Sequence, residues 1–327
     1  MGSIAALGAR RIALAPTAVT SSDPMPESES DRDLANDPGA RNPSLEDGDP
    51  EGNARWRAVL SGDYDANPAL RGLRPVFRHL PSDPRCKLCS APYGPPFGGI
   101  VKLLGFGPWA KNPSLCGACL RVMERHLGGA DVELTMLFAD LRGSTELGER
   151  MTSAAYRNLV NSYYGVAARV IRETGGVISK YLGDGVFALF VPGFSGPDHA
   201  QRGIEAARRM LRDTGASSDL PAEGRPLPVG IGVHTGSAYV GVVGKAGDLL
   251  EFTALGDAVN LTARLSSAAA SRELLISDTA LQAAGPPTDG LERRELSLKG
   301  IGRPVLAWSE RDVGQVAPET AEGTRAV

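Results

Sequence analysis

The 327-residue chain has no apolar run approaching the roughly 20 residues that a bilayer-spanning helix needs, so no membrane span is expected. It lacks a charge excess: 35 Lys and Arg stand against 38 Asp and Glu, a net −3 with a sequence pI near 5.9. A chain-wide attraction to nucleic acid or anionic surfaces is thereby excluded, and any bound phosphate must be met locally. Aromatic residues make up only 6% and are not interleaved with basic ones, which also disfavours a nucleic-acid partner. No internal repeat is visible, so no solenoid is expected. Cysteine is scarce, with all four between residues 86 and 119. The N-terminal "GARRIALAPTAVTSS" has an arginine pair but too brief an apolar stretch for an export signal, and Ala6 stands where a myristoylation signal has Ser or Thr. A cytoplasmic location is the expectation.

What is present is globular usage, 42% hydrophobic and 22% charged, in a length that accommodates one catalytic-sized domain, an accessory module and tails. Residues 1–54 are rich in Pro, Ser, Asp, Glu, Gly and Asn and are expected to be a disordered tail, because so little apolar surface cannot repay the entropy of ordering. Residues 55–80 carry Trp56, Leu60, Leu70 and Phe77, enough for an ordered lead-in that prolines keep from becoming one long helix. A cysteine module is expected over 81–127, a main domain over 131–312, and a disordered tail over 313–327.

Within the main domain, "VELTMLFADL" is a nearly continuous apolar run ending in an acidic turn, the pattern of a central strand. "TSAAYRNLVNSYYGVAARVIRETGG" repeats its apolar residues at helical spacing, with Thr152 as N-cap and Gly175 as the stop. "GVISKYLGDGVFALFVP" reads as two strands joined at "GDG". A helix over "DHAQRGIEAARRMLRD", strands over "LPVGIGVHTGSAYVGVVG" and "LEFTALG", and a helix "DAVNLTARLSSAAA" capped by Asp257 follow. Strands "ELLIS", "LERREL" and "PVLAWSE" close the chain. This is a mixed α/β plan, an α+β sandwich with helices covering one face of the sheet.

Two carboxylates, Asp140 and Asp184, each stand beside small or glycine residues just after an apolar run. A carboxylate there, with a glycine-containing loop and a helix after it, suits a hard divalent cation and the phosphates it neutralises. Taken singly, each Asp also reads as a turn former, Arg264 as a solvated helix residue, Lys180 as a surface lysine and Thr253 as an ordinary strand threonine. The order and spacing of "LFADLRGST", "KYLGDGVFALF", "FTALGDAVNLTARL" and "LSLKG" point elsewhere. Over residues 132 to about 310 they resemble the catalytic domain of class III nucleotidyl cyclases.

The resemblance implies a ferredoxin-like core and a set of roles. Asp140, Leu141 and Asp184 would bind two magnesium or manganese ions per site, and Gly143, Ser144 and Thr145 would meet the substrate. Lys180 and Thr253 would contact the purine, while Asn260 and Arg264 would orient the ribose and stabilise the transition state. In that family the acidic pair comes from one chain and the other four side chains from its partner, so a homodimer with two shared sites is implied. The implied reaction converts ATP to 3',5'-cyclic AMP and pyrophosphate. GTP, a pyrimidine nucleotide, or a role as a non-catalytic nucleotide sensor with a knuckle module are the alternatives. His234 has no second ligand near it in sequence and reads as a core or interface histidine.

Cys86-x-x-Cys89 and Cys116-x-x-Cys119 form two dithiol knuckles, the ligand set of tetrahedral zinc. Four thiolates also suit iron or an iron–sulfur cluster, and two redox disulfides are a further reading. The segment has too little apolar content to fold firmly without a metal.

Overall fold

A computed structural model describes residues 50–64, 68–109, 113–125, 128–216, 226–244, 250–285 and 290–311. All belong to one compact unit, Gly48–Val327. The expected disordered tails lie outside the described residues, except that the lead-in starts earlier than residue 55. Helix α1 (Pro50–Ser61) begins at a proline, whose fixed φ and missing N–H are tolerated in a first helical turn.

After α1 come α2 (Pro68–His79), α3 (Gly98–Val101) running into a π-helical turn over Lys102–Phe106, and α4 (Gly117–Arg125). The main domain follows as β1 (Gly128–Leu141), α5 (Ser144–Arg150), α6 (Ser153–Glu173), β2 (Val177–Leu182), β3 (Gly185–Phe190), α7 (Pro192–Ser195) and α8 (His199–Ala216). It closes with β4 (Val229–Gly244), β5 (Leu250–Leu255), α9 (Asp257–Ala268), β6 (Glu273–Ser277), α10 (Asp278–Ala284), β7 (Glu292–Leu296) and β8 (Val305–Arg311). The strands form one sheet in the order β2-β3-β1-β4-β6-β8-β7, with β5 pairing β4. Every pairing is antiparallel except β4 with β6.

β1 is apolar almost throughout because both of its faces are covered. Leu137, Ala139 and Leu141 enter a core with Leu159, Tyr163 and Ile171 of α6, Ile204 and Met210 of α8, and Leu281 of α10. Val132, Leu134 and Met136 face the other way, into a core with Trp56 and Leu60 of α1, the four cysteines and Phe252 of β5. The helices were expected on one face only. The structure places α1, the cysteine module and α9 over the second face, since a strand this apolar cannot leave either face in water.

Helix ends follow local chemistry. Thr152 caps α6 as expected, its Oγ1 accepting from the Ala155 amide at 3.3 Å, and Gly175 (φ 92°) turns the chain away after it. Asp257 does not cap α9. Gly256 occupies that position at φ 131°, a left-handed backbone that glycine takes at low cost, and Asp257 is the first helical residue, where its charge favours the helix N-terminus.

The seat of α9 depends on a missing side chain. A Cβ on Gly232 of β4 would lie 2.3 Å from the Ser266 amide nitrogen and 2.8 Å from the Thr262 carbonyl. Gly232→Val should therefore push α9 off the sheet and cost about 1–3 kcal/mol of folding stability in urea titrations. Wild-type stability in that variant would show that the helix is not seated this closely.

Candidate functional site

The end of β1 brings Asp140 beside the β2–β3 turn, where its backbone partner is Gly185 and its carboxyl lies in hydrogen-bonding reach of Asp184. A Cβ on Gly185 would sit 3.3 Å from Asp140 Oδ1, so a glycine there leaves room for the pair. The turn is held in place. Tyr164 donates its hydroxyl proton to the Gly183 carbonyl and packs on Tyr181 with ring centroids 4.2 Å apart.

Burial pushes the Asp140 carboxyl above the usual carboxylate range, and the Asp184 charge pushes it further, against the opposing pull of Arg142. Two converging carboxylates supply several hard oxygen donors, and a divalent cation between them would relieve their repulsion. The Leu141 side chain is buried in the core, which leaves its carbonyl oxygen as its one atom suited to a cation. Gly143 (φ 66°) precedes α5, Ser144 opens that helix, and Thr145 is exposed.

Arg142 was not singled out from the sequence. Its Nη2 lies 3.7 Å from Asp140 Oδ2 and donates to the Ser266 carbonyl at 2.8 Å, while Nη1 reaches the Ser267 carbonyl at 3.4 Å. One guanidinium therefore ties the acidic pair to the last turn of α9. A sequence signal existed in the arginine two residues after Asp140, but only the fold brings Ser266 to it.

A second cluster forms where β2 meets β5. Ser179 Oγ donates to Thr253 Oγ1 at 2.9 Å, and Lys180 Nζ donates to Glu251 Oε2 at 2.8 Å. Lys180 and Thr253, 73 residues apart in sequence, thus share one place. Thr253 is 2% exposed, and its hydroxyl keeps a proton and a second lone pair beyond the bond from Ser179. Glu251 was also missed, because an acidic residue on an edge-like strand reads as solvated until its partner is known. Asn260 and Arg264 lie one turn apart on the exposed face of α9, and neither side chain bonds another described residue.

His234 is a core residue, as expected. Its Nδ1 is 2.9 Å from Ser277 Oγ, and burial lowers its pKa to about 4, so the ring is neutral at physiological pH.

The four cysteines converge. Their Sγ atoms all lie within 4.8 Å of one another, and all four residues are buried. The Cys116 amide donates to Cys86 Sγ and the Cys119 amide to Cys116 Sγ, each at 3.3 Å, the arrangement in which backbone dipoles stabilise thiolates. Hydrogen bonds among the thiols hold Cys86 and Cys116 below the ordinary thiol range and push Cys89 and Cys119 above it. The four cysteines are positioned to bind one metal ion.

The sequence profile of the adenylate and guanylate cyclase catalytic domain matches residues 130–308. The chain is 32% identical over 184 residues to the terminal-differentiation-specific adenylate cyclase of Dictyostelium discoideum, a stretch covering 55% of this chain and 9% of that protein. It is 35% identical over 134 residues to an adenylate cyclase of Anabaena cylindrica, covering 40% of this chain and 26% of that one. The chain therefore spans about a quarter or less of these curated relatives. Among solved structures, the guanylyl cyclase Cya2 is similar with a TM-score of 0.51 and 32% identity, covering 56% of this chain and 93% of that one. Among the described residues no helix is long and apolar enough to cross a membrane.

The raised Asp140 pKa has a signed consequence for stability. A carboxylate whose folded pKa lies above its unfolded value costs nothing below the unfolded value and costs most above the folded one. Metal-free protein should therefore lose the penalty as pH falls from neutral toward that window, and Asp140→Asn should raise its melting temperature at neutral pH. Thermal melts in chelator check this, and a lowered melting temperature for Asp140→Asn would show that the pair is not under electrostatic tension.

Proposed function

The chain belongs to the family of adenylate and guanylate cyclase catalytic domains, and from that premise we propose that it converts ATP to 3',5'-cyclic AMP and pyrophosphate at sites shared by two copies. The observation that carries the choice of base is the cluster where β2 meets β5, in which Ser179 bonds Thr253 and Glu251 bonds Lys180. An ammonium donates to a ring nitrogen of adenine, and a threonine hydroxyl accepts from the exocyclic amine. Glu251 holds the lysine at this place.

Asp140 and Asp184, with the Leu141 carbonyl, would hold two magnesium or manganese ions, whose chemistry is to acidify the ribose 3'-hydroxyl and neutralise the leaving pyrophosphate. Gly143, Ser144 and Thr145 face the phosphates. Arg264 acts where charge grows on the phosphoryl oxygens, which makes a fixed guanidinium worth most in the transition state. Asn260, one turn away on α9, orients the ribose for in-line attack.

Two copies are needed because the acidic pair and the base-reading cluster are separate groups of side chains on one chain. Tyr181, Leu182 and Leu255, between 44% and 49% exposed, supply an apolar rim on β2 and β5 that a second copy would cover. Residues 131–312 are the catalytic unit in this reading, and 81–127 a module whose cysteines hold structural zinc. Iron is the competing occupant.

The guanine reading has one specific observation in its favour, the acidic Glu251 at the base cluster, since a carboxylate can accept from the ring N–H and amine of guanine. Incubating the purified protein with ATP, GTP, CTP and UTP and identifying the products separates these readings. Binding without turnover of any of them would make the protein a nucleotide sensor.

Asp140→Ala and Arg264→Ala should each be inactive alone and regain activity when mixed, because one of the two shared sites in a mixed dimer keeps every residue. No recovery, with mixed dimers demonstrated, would exclude shared sites. For the cysteines, elemental analysis should find about one zinc per chain, released by Cys86→Ser. Stoichiometric iron with visible charge-transfer absorption would replace zinc by a redox centre.

A further inference from the structure

The near-neutral total charge conceals a strong local asymmetry. Residues 68–125 hold nine Arg and Lys against two acidic residues, Asp83 and Glu124, a net +7 in a chain whose total is −3. This basic stretch is also where apolar side chains meet water. Of the nine large hydrophobic residues exposed among the described residues, Leu73, Val76, Ile100, Leu103, Leu104 and Val122 lie in it, and the other three border the base-reading cluster. Leu103 is 89% exposed and Leu104 68%, at the π-helical turn that Gly105 (φ 87°) closes.

The pieces adjoin one another. Phe77 of α2 packs edge-on against Phe106 at 5.2 Å, which sets α2 beside the turn. Arg121 of α4 reaches the Gly105 carbonyl at 3.5 Å, which sets α4 on it as well. Next to α2 is a cavity of about 540 Å³ lined by Arg71, Arg74, Arg78, His79 and Tyr64, with Asp63 as its one acidic residue. Arg74 is engaged there, stacked 3.5 Å over the Tyr64 ring and donating to the Lys87 carbonyl. Arg71 and Arg78 make no ion pair or hydrogen bond with another described residue.

We propose that this surface docks the protein on an anionic lipid bilayer, with Ile100, Leu103 and Leu104 entering the headgroup boundary and Arg71 and Arg78 meeting lipid phosphates at the cavity. Charge complementarity selects this occupant. A second copy would bring the exposed Arg71, Arg78, Lys102 and Arg121 against their own equivalents, and a nucleic acid would satisfy the arginines while leaving the projecting leucines in water. An anionic interface satisfies both, because its phosphates attract the arginines and its acyl boundary accepts the apolar tip. The surface stands apart from the proposed cyclase chemistry, so the two readings fail independently.

The test is flotation of the full, metal-loaded chain with vesicles of phosphatidylcholine alone or of phosphatidylcholine containing about one-third phosphatidylglycerol. Binding should occur on the anionic vesicles, be weak on the neutral ones and fall as salt rises. Leu103→Ser with Leu104→Ser should lower the affinity by roughly tenfold or more while leaving the circular dichroism spectrum unchanged, since both side chains are exposed. Arg71→Glu with Arg78→Glu should lower binding to the anionic vesicles on the order of tenfold. Absence of flotation, equal binding to neutral vesicles, or binding unaffected by the leucine changes would each overturn the proposal. So would a leucine variant that shifts the dimer in sedimentation while floating as before, or retention of a DNA or RNA duplex by a chain that does not float.

Discussion

The placement of every candidate residue depends on the register of β1 against its two neighbours. β1 pairs β4 residue by residue from Gly128 to Leu141 and pairs β3 from Thr135 to Asp140. A slip of one residue would exchange the two apolar faces and carry Asp140 to the opposite side of the sheet, away from Asp184. That slip is costly because both faces are filled with large side chains, and burying each Leu or Phe is worth about 1.5–3 kcal/mol. The hydrophobic effect, not any contact between the carboxylates, holds them together.

This explains how the fold tolerates an unfavourable pair. Asp140 and Asp184 repel, and Asp140 is partly desolvated as well, so the site stores electrostatic strain that surrounding packing over-determines. Arg142 takes up part of it while anchoring to the end of α9, so the acidic pair and the helix bearing Asn260 and Arg264 are linked through one side chain. Gly232 and Gly185 remove side chains at the two places where close approach is needed, one under α9 and one beside Asp140.

Helix α1 and the cysteine module are packed on the same sheet. Trp56 stacks on Phe252 at a centroid separation of 6.4 Å, Phe194 packs on that ring at 5.8 Å, and Phe252 is the residue before Thr253. The thiols sit in the core that also contains β1 and β5 side chains. A change in what the cysteines hold would thus be felt, through packing, at the strand that carries the base-reading threonine. On the other side of this region Arg71, Arg78, Lys102 and Arg121 are exposed together with Leu103 and Leu104, which separates the outer surface from the anchored side.

The sequence alone determined the order of the strands and of the three long helices of the main domain, though not the short helices α5, α7 and α10, together with the Thr152 cap, the two acidic turns, the cysteine knuckles and the core character of His234. These rest on local causes: periodicity, turn residues and ligand spacing, which act over a few residues. The sequence also allowed the family to be recognised from motifs in one order. Tertiary structure decided what those causes cannot reach. It placed α1 and the cysteine module on the second face of the sheet, put Gly256 rather than Asp257 at the cap of α9, and paired Lys180 with Glu251 and Arg142 with Ser266. It also gathered cations and exposed leucines of three separate segments around one turn, although the chain's net charge is close to zero. Those partners lie tens to more than a hundred residues apart, and their meeting is set by how the sheet curls and which faces it must bury, a balance of burial over the whole chain.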